Sequence, residues 1–384
     1  MTSHRVPWFV FAGGGTGGHL YPGIAVACAL RELSPGCRVT FFTTDRPIDQ
    51  EILDPLKVEF IPQPVRPFNP RPWTWAGFLA AYSRSVKLAV QHFGEQPPTA
   101  VLGLGGFASA PPLAAALRVG SPTALFNPDA IPGRANRRMI RRVQSVFVQW
   151  DATLTEANRP QNMVVTGCPV RPEFLRVTRE EGCTACKLDP TRPVLLITGA
   201  SQGAMTINEA FVDLIGFLNS MPEWQVIHVT GSTGHQMVRK AYAERLPGAK
   251  VLEFTPRLGW AMAAADIIVS RAGASTLAEI TALGRAAILM PYPYDRARHQ
   301  MANARVLADA QCALIVEDQR NAAANAAALK PALRDLMTSP ERRRRMCRAA
   351  KGIGRADAAE SIAAAMLRLS GASDPSDDAI GASR

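Results

Sequence analysis

Apolar and polar positions along the chain repeat in cycles. Each cycle has a short apolar run, a glycine- or proline-bearing loop, and a stretch with apolar residues every three or four positions. The opening cycle is "VPWFVFA" (6–12), a glycine loop, then the amphipathic "YPGIAVACALREL" (21–33). A short continuous apolar run reads as a strand covered on both faces, and the 3.6-residue period as a helix lying on it. "RVTFFTT", "TAVLGLG", "PTALFN", "SVFVQW" and "NMVVTG" continue the strands, and "PPLAAALRVG" reads as a helix ending at Gly120. Strands alternating with helices predict parallel sheets with helices on both faces.

At "RPVLLITGASQGAMTINEAFVDLI" the opening repeats in kind: buried strand, Gly-Ser-Gly loop, helix. "WQVIHVTG", "AKVLEF", "ADIIVSRAGASTLAEITALG", "AAILMPYP" and "CALIVE" then build a second α/β domain. The polar stretch from Cys168 to Arg192 reads as the junction, giving domains over 1–167 and 168–347. The tail 371–384, "GASDPSDDAIGASR", has the composition of a disordered segment. "ERRRRMCRAAKG" reads as the solvated face of a basic helix.

Ligands of such sheets bind outside the carboxyl ends of the strands, so two sheets with matching glycine loops predict chemistry in a cleft between them. Glycines after a strand let backbone N–H groups approach an anion, and the following helix adds its positive end. Gly13, Gly15 and Gly18 fit the dinucleotide fingerprint G-x-G-x-x-G, with Asp45 as a candidate ribose acid at a later spacing than usual. That reading leaves His19, Tyr21, Pro22 and the second loop unexplained. With no G-K-[ST], a P-loop kinase or ATPase is not expected.

Composition adds a sign. The 384 residues carry a formal net charge of +11, which favours anionic partners: nucleotides, nucleic acid or an acidic membrane surface. No apolar run approaches the roughly 18 to 20 residues that span a bilayer, and the N-terminus lacks a signal-peptide pattern, so a cytoplasmic location is expected. Seven scattered cysteines argue against a disulfide framework. Cys183 and Cys186 form a single C-x-x-C with no second pair, which reads as free thiols rather than a zinc site. Thr276 and Glu279 in "SRAGASTLAEI" satisfy a T-x-x-E capping box. A carboxylate there also suits ribose hydroxyls while the helix end faces a diphosphate.

Taken in order, "GGGTGGHLYPGIAVA", "GCPVRPEF", "ITGASQGAMTINEAF", "VLEF", "SRAGASTLAEI" and "HQMANA" resemble the MurG family of N-acetylglucosaminyltransferases, over nearly the whole chain to about residue 368. The resemblance implies two Rossmann-like parallel-sheet domains facing a cleft (the GT-B type), with a C-terminal helix 348–368 packing back on the first. It implies an inverting transfer of GlcNAc from UDP-GlcNAc to the 4-hydroxyl of a lipid-linked MurNAc, with no cofactor and no metal. UDP-sugar, a lipid-linked acceptor and an anionic membrane surface are the expected partners, and no nucleic acid. The implied place is the cytoplasmic side of the inner membrane.

By position, the resemblance makes Glu279 the ribose acid and Arg171 the cation facing the diphosphate. Ser201 and Thr276 would bond phosphates, Phe254 and Thr255 would meet the uracil edge, and His299 and Gln300 the donor sugar and ribose. Thr16, Gly17, Gly18 and His19 would face the acceptor's diphosphate. His19 is the candidate base, because an imidazole titrates near neutral pH. Asp129 in "FNPDAIPGRAN" stands where the family has an asparagine that meets GlcNAc hydroxyls, and Cys168 replaces another asparagine. A carboxylate accepts hydrogen bonds but cannot donate as an amide does, which leaves the transferred sugar open.

In "RPWTWAGFLAAYSRSVKLAV", Trp75, Phe78, Leu79 and Tyr82 recur at helical spacing beside Trp73, Arg71, Arg84 and Lys87. Such a stripe packs on a core or docks on a bilayer interface. A lipid-linked acceptor favours docking. The other function classes that remain are a UDP-sugar transferase acting on another lipid, such as diacylglycerol, a nicotinamide oxidoreductase, and a basic binding module without catalysis.

Overall fold

The computed structural model of the protein describes residues 6–156, 160–199, 203–255 and 257–371. They divide into two compact units: the described residues up to Arg171 with those from Asp357 onward, and Pro172–Ala356. The division falls a few residues beyond the expected 167/168 boundary, at a proline. Proline locks its own φ and keeps the preceding residue extended, so the chain is stiffened where it leaves the first unit.

The first unit holds a seven-stranded sheet. Its strands are β1 (Trp8–Ala12), β2 (Arg38–Thr44), β3 (Glu59–Gln63), β4 (Ala100–Gly103), β5 (Thr123–Asn127), β6 (Ser145–Val148) and β7 (Met163–Val165). They lie in the order β3-β2-β1-β4-β5-β6-β7, every pairing parallel. All of β1 is buried, as its unbroken apolar run predicts. The pattern of apolar residues does not mark β3, which contains Pro62; a proline cannot complete a ladder, and β3 is accordingly an edge strand. Trp8 anchors this core, edge-on to Phe93 at 5.8 Å with its indole N–H donating to Thr40 Oγ1 at 2.8 Å.

The second unit holds β8 (Val194–Thr198), β9 (Gln225–Val229), β10 (Lys250–Leu252), β11 (Ile267–Ser270), β12 (Ala286–Leu289) and β13 (Ala313–Ile315). Their order is β10-β9-β8-β11-β12-β13, again all parallel. Its core includes Ile197, Phe211, Ile267, Leu329 and Leu333. His228 is buried in this unit, its Nδ1 3.1 Å from the Tyr242 hydroxyl and its Nε2 3.0 Å from Asn208 Oδ1. Burial pushes the imidazole down to about 3, so the ring is neutral at physiological pH.

The C-terminal segment corrects the expectation of one helix over 348–368. There are two, Pro340–Ile353 and Ala358–Leu369, parted at Gly354, whose backbone leaves the helical region (φ −70°, ψ 141°). The first packs on the helix Ala274–Leu283 of the second unit, and the second on the helix Gly17–Leu33 of the first. The tail expected to be disordered lies, from residue 372, outside the described residues.

In each sheet the order reverses once, between β1 and β4 and between β8 and β11. Loops leaving neighbouring strand ends part to opposite faces at such a point and open a crevice. Each unit therefore has one such crevice.

Candidate active site

At the first crevice, the helix after β1 starts at Gly17, four residues earlier than the apolar pattern indicates. Thr16 is its extended N-cap, and Gly17, Gly18 and His19 form its first turn. The Gly15 N–H donates to both oxygens of Asp49, at 2.7 and 2.9 Å. Thr44 adds its N–H at 2.9 Å and its hydroxyl at 2.6 Å to the same carboxylate. Asp49 is buried and was missed in the sequence, which pointed to Asp45. Asp45 is exposed just past β2. An internal carboxylate thus occupies the Gly15 amide that a dinucleotide's diphosphate would use. The nicotinamide reading fails at this loop.

His19 sits where the loops after β1 and β4 part. Its Nδ1 lies 3.3 Å from the Gly14 carbonyl and 3.2 Å from Thr16 Oγ1. A carbonyl only accepts, so the Gly14 contact favours the tautomer with its proton on Nδ1 and leaves the Nε2 lone pair available. The ring lies against Gly106 (φ +75°), where a Cβ would come within 3.1 Å of Cε1, so this position needs glycine. Burial holds the imidazole below its ordinary value, although the Asp129 charge, the Gly14 carbonyl and the Asp49 charge pull the other way.

Asp129 is placed by a polar chain at the end of β5. Asn136 Nδ2 donates to Asn127 Oδ1 at 2.9 Å, and Asn127 Nδ2 donates to the Asp129 carbonyl at 2.7 Å. Thr153 Oγ1 reaches the same carbonyl at 3.3 Å. The Arg171 guanidinium stacks 4.3 Å over the Tyr21 ring, which places it with the first unit and the N-terminal loop. Gly105, Gly106 and Asn136 were not singled out in the sequence. The "GLGG" run ending β4 was the signal for the two glycines, but it merges with the apolar strand before it.

At the second crevice, Gly199 ends the strand-side of the loop and Gly203 the helix-side; Ser201 lies outside the described residues. Gly203 has φ +75°, and a Cβ there would meet the Thr230 carbonyl oxygen at 2.2 Å, so only glycine closes this turn. After β11, Gly273 is the N-cap of the helix Ala274–Leu283 and makes no side-chain cap bond. Thr276 is therefore the third helical residue and Glu279 lies in the second turn. This excludes the T-x-x-E capping box, because Glu279 sits a turn past the capping position. Both side chains are partly buried, and three residues apart they share a helix face.

Gln300 and His299 open the helix His299–Asp309. Gln300 Oε1 accepts from the N–H groups of Ala272 at 3.2 Å and Tyr292 at 2.9 Å, tying the loop after β11 to the loop after β12. Arg271 continues that tie: it pairs with the buried Asp318 carboxylate at 2.8 Å and donates to Thr206 Oγ1 at 2.7 Å. Burial alone raises Asp318, but bonds from Thr206, Asn325, the Arg320 N–H and Arg271 outweigh it and hold the carboxyl below its ordinary value. Phe254 and Thr255 follow β10. Phe254 is 64% exposed, and Thr255 Oγ1 accepts from the Arg257 N–H at 3.1 Å.

The aromatic stripe lies at the start of the helix Trp75–Glu95, whose buried face is Ala81, Ser85, Val86, Ala89 and Phe93. Trp73, Trp75 and Leu79 are 76%, 47% and 61% exposed, so the stripe is not the core face of its helix. Phe68 joins it, 6.2 Å from Trp75 and 5.5 Å from Phe78. Phe78 and Tyr82 are partly buried, and Arg71, Arg84 and Lys87 are exposed around them. Among the described residues no helix is long and apolar enough to cross a membrane, and no cluster of His, Cys, Asp and Glu is arranged to hold a metal. The seven cysteines are free thiols; burial raises both Cys183 and Cys186.

Two doubly wound sheets, each with a glycine turn at its reversal point, form the two-Rossmann architecture of the GT-B type. Residues 9–148 match the glycosyltransferase family 28 N-terminal domain, and residues 194–362 the family 28 C-terminal domain. A UDP-N-acetylglucosamine--N-acetylmuramyl-(pentapeptide) pyrophosphoryl-undecaprenol N-acetylglucosamine transferase of Prosthecochloris aestuarii is 35% identical over 368 residues, covering 94% of this chain and 98% of its own. One of the same name from Desulforamulus reducens is 31% identical, covering 92% and 96%. The chain belongs to this family of transferases, the MurG family. The crystal structure of Acinetobacter baumannii MurG superposes with a TM-score of 0.72 at 22% identity, covering 94% of this chain and 99% of that one. UDP-GlcNAc 2-epimerase from Neisseria meningitidis, bound to UDP-GlcNAc, reaches 0.65 at 16%, covering 94% and 100%. At those identities the likeness is one of fold alone.

Proposed function

We propose that the protein transfers GlcNAc from UDP-GlcNAc to the 4-hydroxyl of an N-acetylmuramyl-(pentapeptide) pyrophosphoryl lipid, the step that makes lipid II for peptidoglycan. The observation that carries this reading is His19: a neutral imidazole set at the first crevice, with Nε2 available and Asp129 acting on it. In a single displacement, the acceptor oxygen attacks the anomeric carbon as the bond to UDP breaks, inverting that centre. His19 Nε2 takes the hydroxyl proton, and the Asp129 charge stabilises the imidazolium that forms. Thr276 and the N-terminus of the helix Ala274–Leu283 meet the charge growing on the leaving diphosphate, so no metal is required. Glu279 accepts from the ribose hydroxyls.

The exposed Trp73, Trp75, Leu79 and Phe68, ringed by Arg71, Arg84 and Lys87, fit a peripheral dock on an anionic bilayer. On this reading the enzyme works at the cytoplasmic face of the inner membrane, where a lipid-linked acceptor is within reach. A second reading, transfer to another lipid such as diacylglycerol or of another sugar, is favoured by one observation, the carboxylate of Asp129 in place of an amide.

The test is transfer of radiolabelled sugar from UDP-GlcNAc to a short-chain lipid I analogue with EDTA present. Product that disappears with Glu279→Ala supports the reading. Tight UDP binding without product, or product on diacylglycerol alone, overturns the acceptor assignment.

A further inference from the structure

The second unit contains a cavity of about 770 Å³ to which none of the roles above is assigned. Its wall is the loop from Pro291 to Arg298, closed by Met301 and by Glu317, Asp318 and Arg320 after β13. The volume falls within the range of small-ligand sites. Tyr292 and Tyr294 are 48% and 58% exposed, with ring centroids 5.5 Å apart. Arg296, Arg298 and Arg320 supply three guanidinium groups to the same wall. Arg320 lies 4.7 Å over the Tyr294 ring and donates to the Pro293 carbonyl at 2.7 Å.

Two of the wall's acids are already engaged. Asp318 is paired with Arg271, and Asp295 accepts from the N–H groups of Ala297 and Gln300. Glu317 is the third acid on that wall, so its three guanidiniums meet three carboxylates, and Arg271, paired with Asp318, brings the local sum to one net positive charge. Arg298 and Arg320 both hold left-handed backbone, at φ +54° and +56°. Arginine forks match carboxylates in pairs of hydrogen bonds, and tyrosine faces take peptide planes and apolar stems. The cavity also adjoins the donor-side residues: the Tyr292 N–H donates to Gln300 Oε1, the oxygen that Ala272 also reaches.

We propose that this cavity is the subsite for the peptide arm of the acceptor, with a peptide carboxylate held by Arg296 and Arg298 and the chain lying along Tyr292 and Tyr294. The proposal rests on the acceptor named above. The acceptor oxygen must meet the anomeric carbon of the GlcNAc assigned to His299 and Gln300 of this same unit, and a pentapeptide reaches up to about 17 Å when extended.

The experiment compares KM for three short-chain lipid-linked acceptors: one with the free peptide, one with its carboxylates converted to amides, and one without peptide. The expected result is a KM about tenfold lower for the free peptide than for the amidated one, the scale of one charge-assisted bidentate contact. Arg296→Gln should erase that difference and Arg296→Glu reverse it, with KM for UDP-GlcNAc and turnover of the peptide-free acceptor unchanged. Equal KM for free and amidated peptides in the wild type overturns the proposal, as does a difference that survives Arg296→Glu. Wild-type protein that glycosylates none of the three overturns the transferase reading and the subsite with it; failure of the subsite alone leaves turnover intact.

Discussion

Asp49 provides a direct test of how the first glycine loop is built. Its buried carboxylate holds three donors, the Gly15 N–H, the Thr44 N–H and the Thr44 hydroxyl, over 2.6 to 2.9 Å. Asp49→Asn keeps the shape but replaces one accepting oxygen with an amide that points its own N–H groups at those donors. Hydrogen bonds to a charged group contribute about 1.5–3 kcal/mol each, and a buried donor left unpaired costs about 1–3 kcal/mol. Since one oxygen remains, the net loss should be about 2–4 kcal/mol. At tenfold per 1.4 kcal/mol, hydrogen-exchange protection of the Gly15 and Thr44 amides should fall by about 30- to 700-fold. The Leu196 amide in β8 of the other unit serves as control. Protection within about threefold of wild type at Gly15 would refute the claim that this carboxylate, rather than a bound anion, organises the loop.

Other outcomes follow from the same geometry. His228 binds its proton near pH 3 when folded but near 6.5 when unfolded, so its contribution is complete above pH 6.5 and shrinks as the pH falls. About 2 kcal/mol should be gone by pH 5; urea midpoints of wild type and His228→Gln that decline in parallel from pH 7 to 5 would contradict this. His19→Gln should lower kcat by about 10²- to 10⁴-fold with little change in KM for UDP-GlcNAc. With the imidazole held below its ordinary value, the acidic limb of the wild-type kcat/KM profile should lie below pH 6.5 and vanish in the variant. An unaltered limb would assign the base elsewhere. Trp75→Glu should weaken sedimentation with anionic liposomes while leaving UDP affinity unchanged, and undiminished sedimentation would count against docking through this stripe.

Much of the architecture was legible because the pattern of apolar residues reports burial directly. β1 and the first four residues of β8 are unbroken apolar runs since both faces of a parallel sheet are covered. Each is followed by glycine because the chain must turn sharply into a helix at the reversal point. β3 escaped notice because an edge strand needs neither continuous apolarity nor every N–H, and so tolerates Pro62. Motif spacing located the functional segments but not their internal logic. T-x-x-E looked like a capping box until Gly273 proved to be the cap, and G-x-G-x-x-G looked like a diphosphate turn until Asp49 proved to fill it.

What the sequence determined alone was the set of local states: which runs bury both faces, where glycine must turn the chain, and the family to which the motif order points. Tertiary structure decided which charges meet. Asp49 reaches Gly15 from 34 residues away, and Arg271 reaches Asp318 from 47. The Asp129 and Asp49 charges that act on His19 likewise arrive from beyond β5 and β2, through sheet order rather than spacing. Local preference is written in neighbouring residues, whereas desolvation and Coulomb energy depend on distance through space. Only the folded sheets bring those distances within reach.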